Sequence, residues 1–137
     1  MSCVLDASAT LAWILPGEST PAIQAVFDRI ADSEARVPHL WRIEVANGLS
    51  MGIKRKRISR DERDKAFQDF LALPIFDDTE GQARVWHQTV HLSDRYNLTV
   101  YDAAYLELAI RLSLPLETLD RDLRLAAHTE GVQLLGM

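Results

Sequence analysis

The sequence has one cysteine, Cys3, so no internal disulfide can staple the fold. Its thiol lies in the apolar run Cys3-Val4-Leu5 and reads as a small core residue, compatible with a reducing cytoplasm. No apolar run approaches the ~20 residues that a membrane helix needs. Leu11 to Leu15 is stopped by Pro16-Gly17. No basic segment followed by an apolar core opens the chain, so a secretory leader is not expected. The loops GxxxxGK[ST], GxGxxG and GxSxG are absent, which removes support for phosphate-cradling loops and for a nucleophile elbow. His87 and His91 have helical i, i+4 spacing, but Gln88 stands where a zinc protease motif needs Glu, so a surface or otherwise satisfied pair is expected. Asp6-Ala7-Ser8 also lacks the second Asp, at position 8, that an aspartyl-phosphate phosphatase would use.

The 137 residues are 47% hydrophobic and 26% charged, the balance of one soluble globular domain with a real core. The formal charge of −5 is unevenly spread. From Lys54 to Lys65, seven basic residues oppose three acidic ones, leaving the remainder strongly acidic. The acidic remainder invites a cation or a basic partner chain, and the basic patch leaves room for a polyanion. Lys54, Arg55, Lys56 and Arg57 could contact RNA phosphates, or could simply be a solvated helix C-terminus, where basic residues are favoured.

Along the chain, short apolar segments alternate with helical ones. Val4-Leu5 reads as a strand, followed by a helix over Ala9–Leu15. Thr20-Pro21 starts a helix whose Ile23, Val26, Phe27 and Ile30 share one face. Arg36-Val37-Pro38 holds a second strand, and a helix runs from His39 to about Arg55. Ser59 and Glu62 fit a capping box, opening a helix expected to bury Ala66, Phe67, Phe70 and Leu71. Ile75-Phe76 is a third strand. Asp78 or Thr79 then caps a long helix to about Tyr96, and another helix spans Val100 to Leu112. Leu116–Leu119 is a fourth strand, Asp120 opens a last helix ending near Gly131, and Val132–Leu135 is a fifth strand. Trp13, Trp41 and Trp86 are expected in the core or at an interface. The pattern predicts an α/β domain spanning 1–137, a parallel sheet covered on both faces.

Four carboxylates stand out. Asp6 and Asp120 directly follow strands, and Asp102 lies in the first turn of a helix. In a parallel sheet, strand C-termini and following helix N-termini share one edge, where ligands bind. Each of the three is also a good helix-start acid when taken singly. Glu44 has no charged neighbour among Leu40, Trp41, Gly48 and Met51, which surround it on the helix, so it either faces inward or reaches the surface. Gly48 leaves room for close approach by another backbone or a ligand. Clustered carboxylates repel and hold protons unless a cation neutralises them. Oxygen donors without Cys or His favour Mg²⁺ or Mn²⁺ and suit phosphoryl chemistry. Ser8 and Thr118 each lie two residues from an Asp and could cap or could hold a carboxylate.

Four segments, in order, carry a resemblance that covers essentially the whole chain: Val4-Leu5-Asp6-Ala7-Ser8, Arg42-Ile43-Glu44-Val45-Ala46-Asn47, Tyr101-Asp102-Ala103-Ala104-Tyr105-Leu106-Glu107-Leu108-Ala109, and Leu116-Glu117-Thr118-Leu119-Asp120-Arg121-Asp122-Leu123. The sequence resembles a PIN-domain ribonuclease of the VapC type, the toxin of a toxin–antitoxin pair. The resemblance implies a three-layer α/β/α sandwich with a five-stranded parallel sheet. It implies that Asp6, Glu44, Asp102 and Asp120 are the catalytic, metal-binding acids, with Thr118 and Ser8 in support and Asp122 a peripheral member. It implies a cytoplasmic, Mg²⁺- or Mn²⁺-dependent endoribonuclease that uses a metal-activated water on RNA, usually as a homodimer held in check by a cognate antitoxin, with no membrane partner. Glu107 departs from the typical pattern, where a small or apolar residue is common. The alternatives on the same scaffold are a catalytically silent binding module and a small metal-dependent phosphatase.

Overall fold

The computed structural model describes residues 2–136. Among the described residues, five strands form one parallel sheet: β1 (Cys3–Leu5), β2 (Ala35–Val37), β3 (Ile75–Asp77), β4 (Leu116–Glu117) and β5 (Leu134–Leu135), in the order β3-β2-β1-β4-β5. Helices α1 (Ala7–Ile14) and α2 (Pro21–Asp32) join β1 to β2, and α3 (Leu40–Lys54) and α4 (Arg60–Ala72) join β2 to β3. Helices α5 (Val90–Tyr96) and α6 (Val100–Leu112) lead to β4, and α7 (Arg121–Thr129) leads to β5. The chain steps outward from β1 to β3, then returns past β1 to add β4 and β5 on its other side. Right-handed crossovers therefore place α1–α4 on one face and α5–α7 on the other. The expected three-layer α/β/α sandwich is the observed one. The chain reverses its direction of travel at β1 and β4, so the crevice beyond their C-terminal ends is the natural ligand edge.

The strands are short because they are wholly interior. Cys3, Val4 and Leu5 are 0–1% exposed, and the Cys3 thiol is pushed up to about 12, chiefly by burial and then by Glu117. Thr20 caps α2 by accepting the Ile23 N–H, Pro21 sits in its first turn, and the expected apolar face is buried. The Ser59–Glu62 capping box has both of its bonds. Trp13 stacks on Phe27, with ring centroids 4.0 Å apart. Trp41 is buried, and its Nε1 donates to the Thr10 hydroxyl at 3.0 Å, tying α3 to α1. Gly48 serves this same contact. A Cβ there would lie 2.4 Å from a Leu11 methyl, so the open space on α3 is filled by α1 rather than by a ligand.

Several boundaries differ from the expected ones. Helix α1 starts at Ala7, two residues early, because Asp6 itself is its N-cap. Strand β4 ends at Glu117, since Thr118 turns its hydroxyl into the site described below, and β5 is confined to Leu134–Leu135. Leu71 is exposed rather than buried. The long helix expected from Asp78 is broken. The Asp78 carboxylate accepts the Gly81 N–H at 2.7 Å while also binding Arg111, which holds residues 78–81 as a turn. A tight 3₁₀ turn over Gln82–Arg84 and a wide π turn over Val85–Thr89 follow before α5 begins. The extra residue in the π turn brings Thr89 inward and leaves Trp86 94% exposed, so Trp86 is not a core residue. His87 and His91 lie on the surface edge-to-face, as expected of a surface pair.

Glu107 is buried for a reason its sequence neighbours do not reveal. The Arg111 guanidinium donates to Glu107 at 2.8 Å and to Asp78 at 2.7 Å, pinning α6 to the turn after β3. Burial raises the Asp78 pKa, but the Arg111 hydrogen bond and charge outweigh it, so the group ends below its usual value. Arg111→Ala would strand two buried carboxylates and should cost about 3–5 kcal/mol in urea unfolding. Glu80→Ala, which removes only an exposed partner 3.6 Å away, should cost less than about 1 kcal/mol. Equal small losses would show that the network carries no stability.

Candidate active site

Asp6 occupies the first position after β1 and is 2% exposed. A buried carboxylate needs donors on both oxygens. Its Oδ1 accepts the Ser8 hydroxyl at 2.7 Å and the Ala9 N–H at 2.9 Å, and its Oδ2 accepts the Thr118 hydroxyl at 2.5 Å. Thr118 also accepts the Asp120 N–H at 3.0 Å, and Ser8 accepts the Leu119 N–H at 3.0 Å. The two hydroxyls thus lace the end of β1 to the end of β4. Asp6 is helix cap and site residue at once.

The other acids converge on the same edge. Thr99 caps α6 by accepting the Asp102 N–H, which sets Asp102 in the first turn. One helical turn on, the buried Tyr105 donates its hydroxyl to Glu44 Oε1 at 2.6 Å, bridging α6 and α3. Burial and the bond to Glu44 together drive the Tyr105 pKa far upward, so its proton stays with the phenol. Asp120 caps α7 with Oδ1, accepting the Leu123 N–H at 2.8 Å. Asp122 is exposed on the first turn of α7.

These carboxylates share one electrostatic field. The Asp102 pKa is pushed up to about 6 by burial first, then by the charges of Asp120 and Glu44, with Asp122 a smaller contributor. Asp6 is also raised to about 6, mainly by burial, against the lowering effect of its Thr118, Ala9 and Ser8 hydrogen bonds; the charge of Asp102 adds to the rise. Among the described residues, none of the ion pairs reaches Asp6, Glu44, Asp102, Asp120 or Asp122. The described residues also hold no group of three or more His, Cys, Asp or Glu side chains set closely enough to be a finished metal cage. The fit to a cation therefore rests on donor chemistry: hard oxygens, no thiol or imidazole, and negative charge with no basic side chain to balance it.

Tyr105 is the site residue that the sequence alone does not single out. Its signal is the i, i+3 spacing from Asp102, which puts both on one face of α6. Glu117 is another. It is 1% exposed with both carboxylate oxygens unbonded, and burial pushes it up to about 8, so it is protonated at neutral pH and adds no charge to the cluster. The basic patch lies elsewhere. Lys54 is ten residues beyond Glu44 on α3, about 15 Å along its axis. Arg57 there is engaged with Glu18 at 2.7 Å and with the Pro16 carbonyl.

Comparison with known proteins agrees with this geometry. A family model described as "PIN domain" matches residues 3–128. The chain is 35% identical over 125 residues to Ribonuclease VapC1 of Mycobacterium tuberculosis, covering 91% of this chain and 89% of that protein. It is 32% identical over 127 residues to Ribonuclease VapC3 of Pyrobaculum aerophilum, covering 90% and 92%. In fold it is similar to the crystal structures of VapBC2 from Rickettsia felis, bound to a DNA fragment from their promoter (TM-score 0.66, 15% identity, 98% and 97% coverage), and of FitAcB from Neisseria gonorrhoeae (TM-score 0.65, 15% identity, 98% and 96% coverage).

The raised acids fix how stability varies with pH in chelator. A carboxyl whose folded pKa lies above its unfolded value near 4 binds protons more readily folded than unfolded, so stability falls as pH rises from about 4 through 6. Asp102→Asn removes one of the repelling charges. It should raise the Tm at pH 7.5 by a few degrees, corresponding to on the order of 1 kcal/mol for a half-exposed group, and leave it nearly unchanged at pH 4.5. A Tm that falls equally at both pH values would contradict this reading.

Proposed function

We propose a function from one premise: the chain belongs to the PIN-domain family. It is an endoribonuclease, the toxin component of a toxin–antitoxin pair, and it hydrolyses RNA phosphodiester bonds. The observation that carries this reading is the set of four carboxylates at the switch point of the sheet, unbalanced by any basic side chain among the described residues. The curated relatives, matched over most of both chains, are named ribonucleases.

PIN-domain VapC ribonucleases are generally dependent on a divalent metal. Mg²⁺, with Mn²⁺ as substitute, would be held by Asp6, Glu44, Asp102 and Asp120, and would supply activation of water and neutralisation of charge on the phosphodiester. The residues divide the remaining work. Asp6 is immobilised by three donors and serves as the fixed corner. Tyr105 takes one oxygen of Glu44 and leaves the other available, and the α7 cap does the same for Asp120. Asp102, with neither oxygen in a hydrogen bond, is the adjustable member, and a cation displaces its proton. Ser8 and Thr118 position Asp6, and Asp122 stands at the margin. Lys54 to Arg57, about 15 Å away, would meet only a substrate that extends along α3.

The reading treats residues 1–137 as one PIN-like nuclease domain. Its partners are the RNA substrate, a cognate antitoxin protein and a second copy in a homodimer, and its place of action is the cytoplasm. Among the described residues, no helix is long and apolar enough to cross a membrane.

Purified protein with a single-stranded RNA and millimolar Mg²⁺ should give endonucleolytic products, and excess chelator should abolish them. Asp6→Asn and Asp102→Asn should each reduce the cleavage rate at least about 100-fold. Undiminished cleavage by both variants would assign the activity to a contaminant. An uncut RNA with a stoichiometric co-purified partner would support the silent binding module, and phosphate release from small esters without RNA cleavage would support the phosphatase.

A further inference from the structure

A cavity of about 200 Å³ opens beside the acidic cluster. Leu40, Val85, Val100, Ala104 and Leu108 give it apolar walls. Leu40 lies one helical turn before Glu44 on α3, and Val100 and Ala104 lie two residues on either side of Asp102 on α6, so the mouth is within about a turn of both acids. At that mouth Tyr101, next to Asp102, holds its ring 64% exposed. The inner end is closed by the Arg111–Glu107–Asp78 network, whose charges are taken up by one another. Gln82 and His39 also line the cavity, and among the described residues neither side chain makes a hydrogen bond or ion pair.

We propose that this cavity receives one unpaired base of the RNA substrate, next to the bond that is cut, and that Gln82 and Ala104 set which base is accepted. The inference rests on the ribonuclease reading and goes beyond it in naming a specificity site. Three features favour a base over a peptide side chain. The cavity is below the ~300 Å³ of typical small-molecule sites, which suits a single ring system rather than a whole nucleotide or a helix. It is continuous with the groups proposed to act on the phosphodiester. It joins an exposed aromatic face, on which a splayed base stacks, to an amide with free donors and acceptor that can read a base edge. The walls depend on the broken helix: without the π turn, Val85 and Thr89 would not both face α6. Glu107, the departure from the family pattern, forms the inner end through Arg111, so this chain's cavity is shaped by a residue that relatives of the typical form would lack.

The test uses a degenerate single-stranded RNA pool, cut by the full chain with Mg²⁺ and sequenced at the new ends. Wild-type protein should show a base preference at one position fixed relative to the cut. Ala104→Leu, which fills the cavity, should flatten that preference by about tenfold while cutting continues, and Gln82→Ala should change which base is preferred. Gln82 is exposed, so its variant keeps the test open should Ala104→Leu fold poorly. A wild-type pool without preference, or the same preference in both variants, overturns the proposal while leaving the ribonuclease reading intact. Failure of wild-type protein to cut any member of the pool overturns both.

Discussion

The hydrogen bonds onto the buried Asp6 carboxylate are the constraint on which the rest of the molecule depends. An ionisable group with 2% exposure at the centre of a sheet is tolerable only with its oxygens occupied. Here the donors come from both sides of the switch point: Ser8 and Ala9 from the start of α1, Thr118 from the end of β4. Satisfying one side chain therefore fixes where β1 stops, where α1 starts and how β4 hands over to α7. The short strands follow from the same requirement, since residues that would extend them are committed to this knot.

The molecule solves the problem of buried acids in two ways, and the contrast bears on function. Asp78 and Glu107 are neutralised by a single arginine, Arg111, and the result is a rigid brace between α6 and the turn after β3. Asp6, Glu44, Asp102 and Asp120 receive hydroxyl and amide donors but no cation from the protein. Hydroxyls orient a carboxylate without cancelling its charge, so the field at the site remains negative and the pKa values of Asp6 and Asp102 rise together. A chain that places an arginine at one acidic pair and none at the other has left the second charge for something outside itself.

Much of this was legible in the residues. The apolar periodicity of α2, the Ser59–Glu62 capping box and the strand-then-acid pattern at Asp6 and Asp120 each follow from local chemistry, and each is where it was expected. The relation of Asp6 to Thr118, 112 positions apart, is a tertiary fact, although two small hydroxyl residues flanking strand-end acids hinted at it. Tyr105 was hidden because an aromatic residue on a helix face reads first as core. The break after Asp78 was hidden because its cause is Arg111, far along the chain, while the apolar spacing continues through the π turn undisturbed. Trp86 was assigned inward for the same reason.

The central claim is that the raised carboxylates form a vacancy in charge that a divalent cation fills. The most direct measurement is proton release on adding Mg²⁺ to the protein without RNA near pH 6, read by calorimetry in buffers of different ionisation enthalpy. The account predicts net proton release by the wild-type protein, accompanied by a rise in Tm, with the release reduced in Asp102→Asn. A wild-type protein that binds Mg²⁺ with no proton release, or whose melting is untouched by millimolar Mg²⁺, would contradict it.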